Sequence, residues 1–441
     1  MHLGRRIAAW TESPSLLALL VAGTPTFFVP LDDWLGLPLV RPPRVLFAVL
    51  ALLFAARALF AADTLKKPGS VEKAMASYFA IVIVSWLTTL DLKSAALIKR
   101  EGAMLLDHVL VPFCVYFFAR QVRWTSLRIV TVVFLLVFVV GLYLGLTAIL
   151  QELFGWSFAP QRVVVTHTAR ATGTFSNSIE FGVVLTIVVL LTLFAALRSS
   201  AAATRAALLA TAAVILVGVI FCKARALWLT TPLALFIVCR PRPALVRFVG
   251  AALFLAAAIA VPLNRVAVPR FSPFEDASFS ARATDLPSLR ARLAANLVAI
   301  DMAVHKPLLG FGFGIETFAQ NKAAYHPEWL IPRPWAAFPT VPHNTYLHVL
   351  LMTGLIGLAA YVWLGYGLWA RIESSLEQRA LADTAELAPF VRAAFVLVLL
   401  NALAVDLIFF SYVVLLLLFL IGMLEPQATE INAHDSSTHD S

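Results

Sequence analysis

The chain has 441 residues, of which 61% are hydrophobic and 13% charged, with a mean hydropathy of +0.86. That leaves too little polar surface for a water-soluble globule, so lipid must serve as part of its solvent. The formal net charge of +9 does not point to nucleic acid, because there is no soluble basic domain to hold it; membrane topology and anionic lipid explain it better.

Continuous apolar runs, broken by charged residues, Pro and Gly, predict an all-α polytopic membrane protein of about twelve spanning helices. They lie near 14–31, 43–62, 74–90, 103–119, 127–149, 180–197, 206–221, 225–239, 245–263, 344–369, 388–406 and 408–424. A hydrocarbon core of roughly 30 Å needs about 20 apolar residues per helix. Lipid tolerates only helices or closed barrels, and these runs do not alternate as barrel strands do. Arg5 and Arg6 precede the first run as they would in a secretory signal, but no small-residue cleavage site follows, and it is read as a span.

With the amino terminus on the cytoplasmic side, fifteen Lys and Arg residues, from Arg5 to Arg379, fall in short inner segments and seven, from Arg41 to Arg225, in short outer ones. The positive-inside rule therefore puts both termini in the cytoplasm. The chain divides into helices one to nine over 1–263, with a short outer loop at 150–179, a large outer loop at 264–343, helices ten to twelve over 344–424, and a polar, disordered tail at 425–441. Long loops concentrate function. The large one includes an amphipathic stretch, Leu293 to Leu309, that reads as a helix on the membrane or across the bundle mouth.

Ionisable groups within spans are functional candidates. Asp107, His108 and Asp406 sit near outer helix ends, none near mid-depth, which argues against an ion or proton pathway. Cys114, Cys222 and Cys239 are widely spaced, with no partner at metal-ligand spacing, and read as small apolar residues. The scattered His167, His305 and His326 make no metal site either.

The informative pattern lies where helices start at the outer face and direct free N–H groups outward. One follows Arg170-Ala-Thr-Gly-Thr-Phe-Ser-Asn177, one begins at Lys223-Ala-Arg225, and one at Pro342-His343-Asn344-Thr345-Tyr346. Singly, Arg170 and Arg225 read as interfacial anchors, His343 as a helix cap, and His348 as structural. Together they make an anion site.

These segments resemble the O-antigen ligases, within the superfamily of O-antigen ligases and polymerases. Arg170 to Asn177 resembles the family's Arg-x-x-Gly-x-Phe-x-Asn element, and Lys223-Ala-Arg225 its Ser-Arg element. Arg292 followed by Pro307-Leu-Leu-Gly310-Phe-Gly312-Phe-Gly314 resembles the large-loop pattern, with Asn296 at the family's Trp position. His343-Asn-x-x-Leu347 followed by Gly354-Leu-Ile-Gly357 is the most specific match, because it opens a span directly after the large loop.

The resemblance implies a membrane-embedded glycosyltransferase of the C type. It would move a glycan from undecaprenyl diphosphate to a sugar hydroxyl of lipid A-core at the periplasmic side of the bacterial inner membrane, without cofactor or metal. His343 would be the catalytic base; Arg170, Arg225, Arg292 and Lys223 would hold the diphosphate; and Asn177, Arg290, Asn344 and Tyr346 would position substrate. Physics does not separate Arg290 from Arg292, although spacing to Pro307 favours Arg292. The nearest rival is a polymerase of the same superfamily. Its Arg-x10-Gly spacing occurs at Arg162 to Gly173, but chance supplies such a match in a chain this rich in arginine. A protein O-glycosylating ligase would carry added carboxy-terminal elements. A lipid-linked glycan flippase would need polar groups through the membrane depth.

Overall fold

The computed structural model describes residues 11–28, 42–90, 93–154, 170–175, 177–241, 286–325, 339–377 and 384–424, with residues 243, 246 and 250. The predicted span at 245–263, apart from residues 246 and 250, and the tail at 425–441 lie outside the described residues, as do much of the 150–179 and 264–343 loops.

Among the described residues the secondary structure is helical throughout. The principal helices are α1 (Ser15–Gly23), α2 (Pro42–Phe60), α3 (Ser70–Leu87), α4 (Ala95–Gln121), α5 (Ser126–Phe154), α6 (Ser178–Arg198), α7 (Ala202–Phe221) and α8 (Arg225–Cys239). After these come α9 (Leu286–His305), α10 (Thr345–Glu377), α11 (Ala388–Ala402) and α12 (Ser411–Met423). Helices thus occupy eleven of the twelve stretches read as spans. Seven, α2 to α7 and α10, are long and apolar enough to cross a membrane; α1, α8, α11 and α12 are shorter apolar helices.

Their burial follows from where each helix keeps its polar residues. In α6 the most apolar 18-residue window is 100% buried, as expected of a helix that is hydrophobic all round, and α7, α8, α11 and α12 pack about it. In α2 that share is 17%, and Leu52 and Leu59 are exposed on its outward face.

The break inside α10 shapes the bundle most. Gly354 there has φ 67° and ψ −168°, a region essentially confined to glycine. The freed backbone groups pair with the glycine-rich run: Phe311 N–H donates to Leu351 O (2.8 Å) and Gly312 N–H to Met352 O (3.1 Å). In return Leu355 N–H donates to Pro307 O (2.7 Å) and Ile356 N–H to Leu308 O (3.4 Å). Ser85 Oγ on α3 also donates to Met352 O at 2.7 Å. The run therefore supplies the backbone partners that the broken helix lacks, the condition for non-helical backbone at membrane depth. Its far end is held by a buried pair, Lys93 Nζ to Glu101 Oε2 at 2.6 Å, and the same ammonium donates to Phe313 O at 2.8 Å.

Candidate functional site

The outer turn of α10 is built by its own cap. Asn344 Oδ1 accepts from Leu347 N–H at 3.1 Å, as a good N-terminal residue should. The preceding His343 has φ 56°, an uncommon left-handed conformation for a side-chain-bearing residue. It is held there by Asp406, whose Oδ2 accepts the His343 N–H at 3.1 Å. The other oxygen, Oδ1, lies 3.2 Å from His348 Nδ1. Thr345 completes the tie, since its hydroxyl donates to Val405 O (2.8 Å) and accepts from Leu407 N–H (2.9 Å). The turn after α11 is thereby fastened to the start of α10, with Asp406 and His348 both buried.

Arg292 approaches from α9. The buried stripe of that helix comprises Ala295, Ala299 and Met302, and Arg292 continues it by one step of three. Its Nη1 reaches Ala404 O at 3.5 Å. Arg290 is two residues, about 200°, away around the helix; it is exposed, on the stripe with Leu293, Leu297, Ile300 and Val304. The two arginines that sequence spacing could not separate are thus parted by the helix, and Arg292 is the one beside His343. Burial first, then Arg292 and His348, lower the His343 pKa, with Asp406 acting the other way. The imidazole is accordingly neutral near pH 7, since its ordinary value of 6.5 moves downward.

A second group lies where α5 ends and α6 and α8 begin. Lys223 is also left-handed, at φ 47°, and its ammonium, 1% exposed, pairs with Glu152 Oε1 at 2.8 Å. Arg170 shares this neighbourhood, acting on Cys222 together with Glu152. Gln151 Oε1 accepts the Thr172 and Gly173 N–H groups at 2.9 and 3.0 Å, and Ala171 N–H donates to Phe221 O at 3.1 Å. Asn177 Oδ1 caps α6 through Ile179 N–H at 2.7 Å.

Arg225 opens α8, half-buried. Five residues into that helix, about 7.5 Å along its axis, Thr230 Oγ1 accepts from Asn401 Nδ2 at 2.9 Å. Asn401 stands at the end of α11, just before the turn carrying Asp406. One end of the bundle therefore gathers His343, Arg292, Arg225, Arg170 and Lys223.

A family model described as O-antigen ligase matches residues 187–362. Over that stretch, well under half of its length, the chain is similar to the O-antigen ligases. A search of curated proteins found no match. The O-antigen ligase segment spans α6 to the broken middle of α10, and so contains Lys223, Arg225, Arg292 and His343. Arg170, Asn177 and Asp406 lie outside it.

Several side chains assigned to substrate from sequence are engaged within the protein. Lys223 is met by Glu152, Asn177 and Asn344 cap their own helices, and Tyr346 Oη donates to Leu399 O at 3.2 Å. Glu152 and Asp406 were absent from the predicted site set, although each is a carboxylate at the end of an apolar helix, which was the available signal. Among the described residues no three His, Cys, Asp or Glu side chains group as metal ligands.

Proposed function

We propose that the chain is an O-antigen ligase. It transfers a glycan from undecaprenyl diphosphate to a sugar hydroxyl of lipid A-core, with this end of the bundle facing the periplasm, the chain in the bacterial inner membrane and both termini cytoplasmic. The observation that carries the reading is His343, set at a helix start beside Arg292, with a lowered pKa and a backbone held by Asp406.

In this reading the neutral imidazole takes the proton from the acceptor hydroxyl. The acceptor oxygen bonds the anomeric carbon from the face opposite the diphosphate, and the bond to the leaving diphosphate oxygen breaks, giving inversion. General base catalysis of this kind contributes about 10²- to 10⁴-fold. Charge developing on the diphosphate is met by Arg292, Arg225 and Arg170, which suit phosphate through planar, bidentate donation. Lys223, buried against Glu152, acts on the diphosphate indirectly, by fixing the start of α8 where Arg225 stands. Arg290, Asn177, Asn344 and Tyr346 act on substrate position, the last three by shaping the helix starts that contact it.

The test is transfer by purified full-length protein from lipid-linked glycan to lipid A-core, run beside a second lipid-linked repeat as acceptor and beside His343→Ala. The expected product is glycan on lipid A-core, lost at least a hundredfold in the variant. Product only on the lipid-linked repeat would make the chain a polymerase. Movement across vesicles without a covalent product would make it a transporter, and full activity of His343→Ala would remove the base.

A further inference from the structure

The end of α10 opposite His343 faces a cavity of about 270 Å³ between α3, α4 and α10. Arg120 and Arg371 line it, along with Tyr116, Ser374 and the first turn of α3 at Ser70, Val71 and Glu72. From Thr345 to Arg371 the helix runs about 39 Å at 1.5 Å per residue, so this cavity is remote from the residues assigned to glycan transfer.

Hydrogen-bond donors line the cavity from three helices, Arg120 on α4, Arg371 on α10 and the start of α3. Ser70 and Val71 open a helix, whose first N–H groups have no intrahelical acceptor, and the helix dipole adds positive potential there. Glu72 is already committed: Oε2 accepts the Gly69 N–H at 2.8 Å and Oε1 pairs with Arg120. Arg371 is hydrogen-bonded to the Tyr116 hydroxyl, which orients its planar guanidinium at the cavity wall. Behind Arg120, Lys66 Nζ donates to Arg120 O at 2.7 Å.

The same neighbourhood is strongly cationic. The Lys66 ammonium is held down to about 8, by burial first and then by Arg120, Arg371 and Arg57, with Glu12 alone acting the other way. Beyond the effect of burial, the part of that shift that comes from Arg120, Arg371 and Arg57 marks a positive potential that a bound anion would relieve.

We propose that this cavity is a phosphate-binding site, with Arg371, Arg120 and the first turn of α3 as the donors. Two sources present that chemistry, the headgroup of an anionic phospholipid and free phosphate. The basic cluster next to apolar spans is the arrangement by which membrane proteins hold anionic headgroups.

Purified full-length protein is titrated with phosphatidic acid and with phosphatidylcholine, bound lipid being counted by native mass spectrometry, and its unfolding temperature is followed with inorganic phosphate. Phosphatidic acid should bind at least tenfold more tightly than phosphatidylcholine, with the preference lost in Arg371→Gln and partly kept in Arg371→Lys. Stabilisation by millimolar inorganic phosphate, absent in Arg371→Gln, makes free phosphate a sufficient ligand; lipid preference without that stabilisation assigns the site to the headgroup. Ser374→Trp fills the cavity while leaving both arginines, and should abolish binding even if Arg371→Gln fails to fold. Equal affinity for the two lipids with no effect of phosphate, or a preference that survives Ser374→Trp, overturns the site. Glycan transfer by Arg371→Gln should match the parent protein.

Discussion

Replacing Gly354 by alanine tests whether the break in α10 positions the site. A Cβ at residue 354 would lie 2.1 Å from Leu308 O and 2.2 Å from Leu308 C. Both are backbone atoms, so the 307–312 run itself must move. Four backbone hydrogen bonds tie that run to the break; at about 0.5–1.5 kcal/mol net each, their loss costs about 2–6 kcal/mol. Holding alanine at φ 67° adds about 1–3 kcal/mol. The variant should therefore be destabilised by about 3 kcal/mol or more. Its transfer rate should fall further, because the run joins α9, which carries Arg292, to the helix that His343 opens. Gly365→Ala is the matched control on the same helix, since nothing lies within 4 Å of a Cβ there. It should be neutral or gain up to about 1 kcal/mol from helix propensity. Unfolding followed by intrinsic fluorescence in detergent, alongside glycan transfer, reads both variants. Parental stability and activity in Gly354→Ala would refute the reasoning.

Three further outcomes follow from the geometry. Because the imidazole must be neutral to act as base, activity should persist at pH 7 and fall as pH drops through the lowered pKa of His343, below the ordinary 6.5. Asp406→Asn removes the influence that raises that pKa and should move the acid limb of kcat/KM to lower pH, with a roughly tenfold loss, about 1.4 kcal/mol, from a loosened His343; Arg292→Met should move the limb the other way. An unchanged limb in both would refute the charge assignment. Glu152→Gln should destabilise the fold by about 3–5 kcal/mol, since it leaves Lys223 buried and charged, and pairing it with Lys223→Met should recover most of that loss in a thermal unfolding assay. Chelator should leave transfer unaffected; inhibition that a divalent metal reverses would show that the arginines do not suffice for the diphosphate.

The helices were legible in the sequence because each depends mostly on its own residues. A run of about 20 apolar side chains specifies a helix in lipid wherever its neighbours lie, and the helices observed occupy eleven of the stretches read in that way. The placement of cationic and amide residues at three helix starts was legible for a similar reason, since a helix end is a property of one helix. The choice of Arg292 over Arg290 was within reach too, through the stripe Arg292, Ala295, Ala299 and Met302, had the period been followed back past Leu293, where the amphipathic stretch was taken to begin. Which polar groups meet across the bundle was not legible. Asp406 lies 63 residues from His343, Glu152 reaches Lys223 from another helix, and the glycine-rich run fits a break some 45 residues further along. The sequence by itself determined the helices and the end of the bundle where cations and His343 gather. Tertiary structure decided which of those side chains already have a carboxylate or backbone partner, because in a low-dielectric interior a charge is satisfied by whatever packing brings within hydrogen-bonding reach.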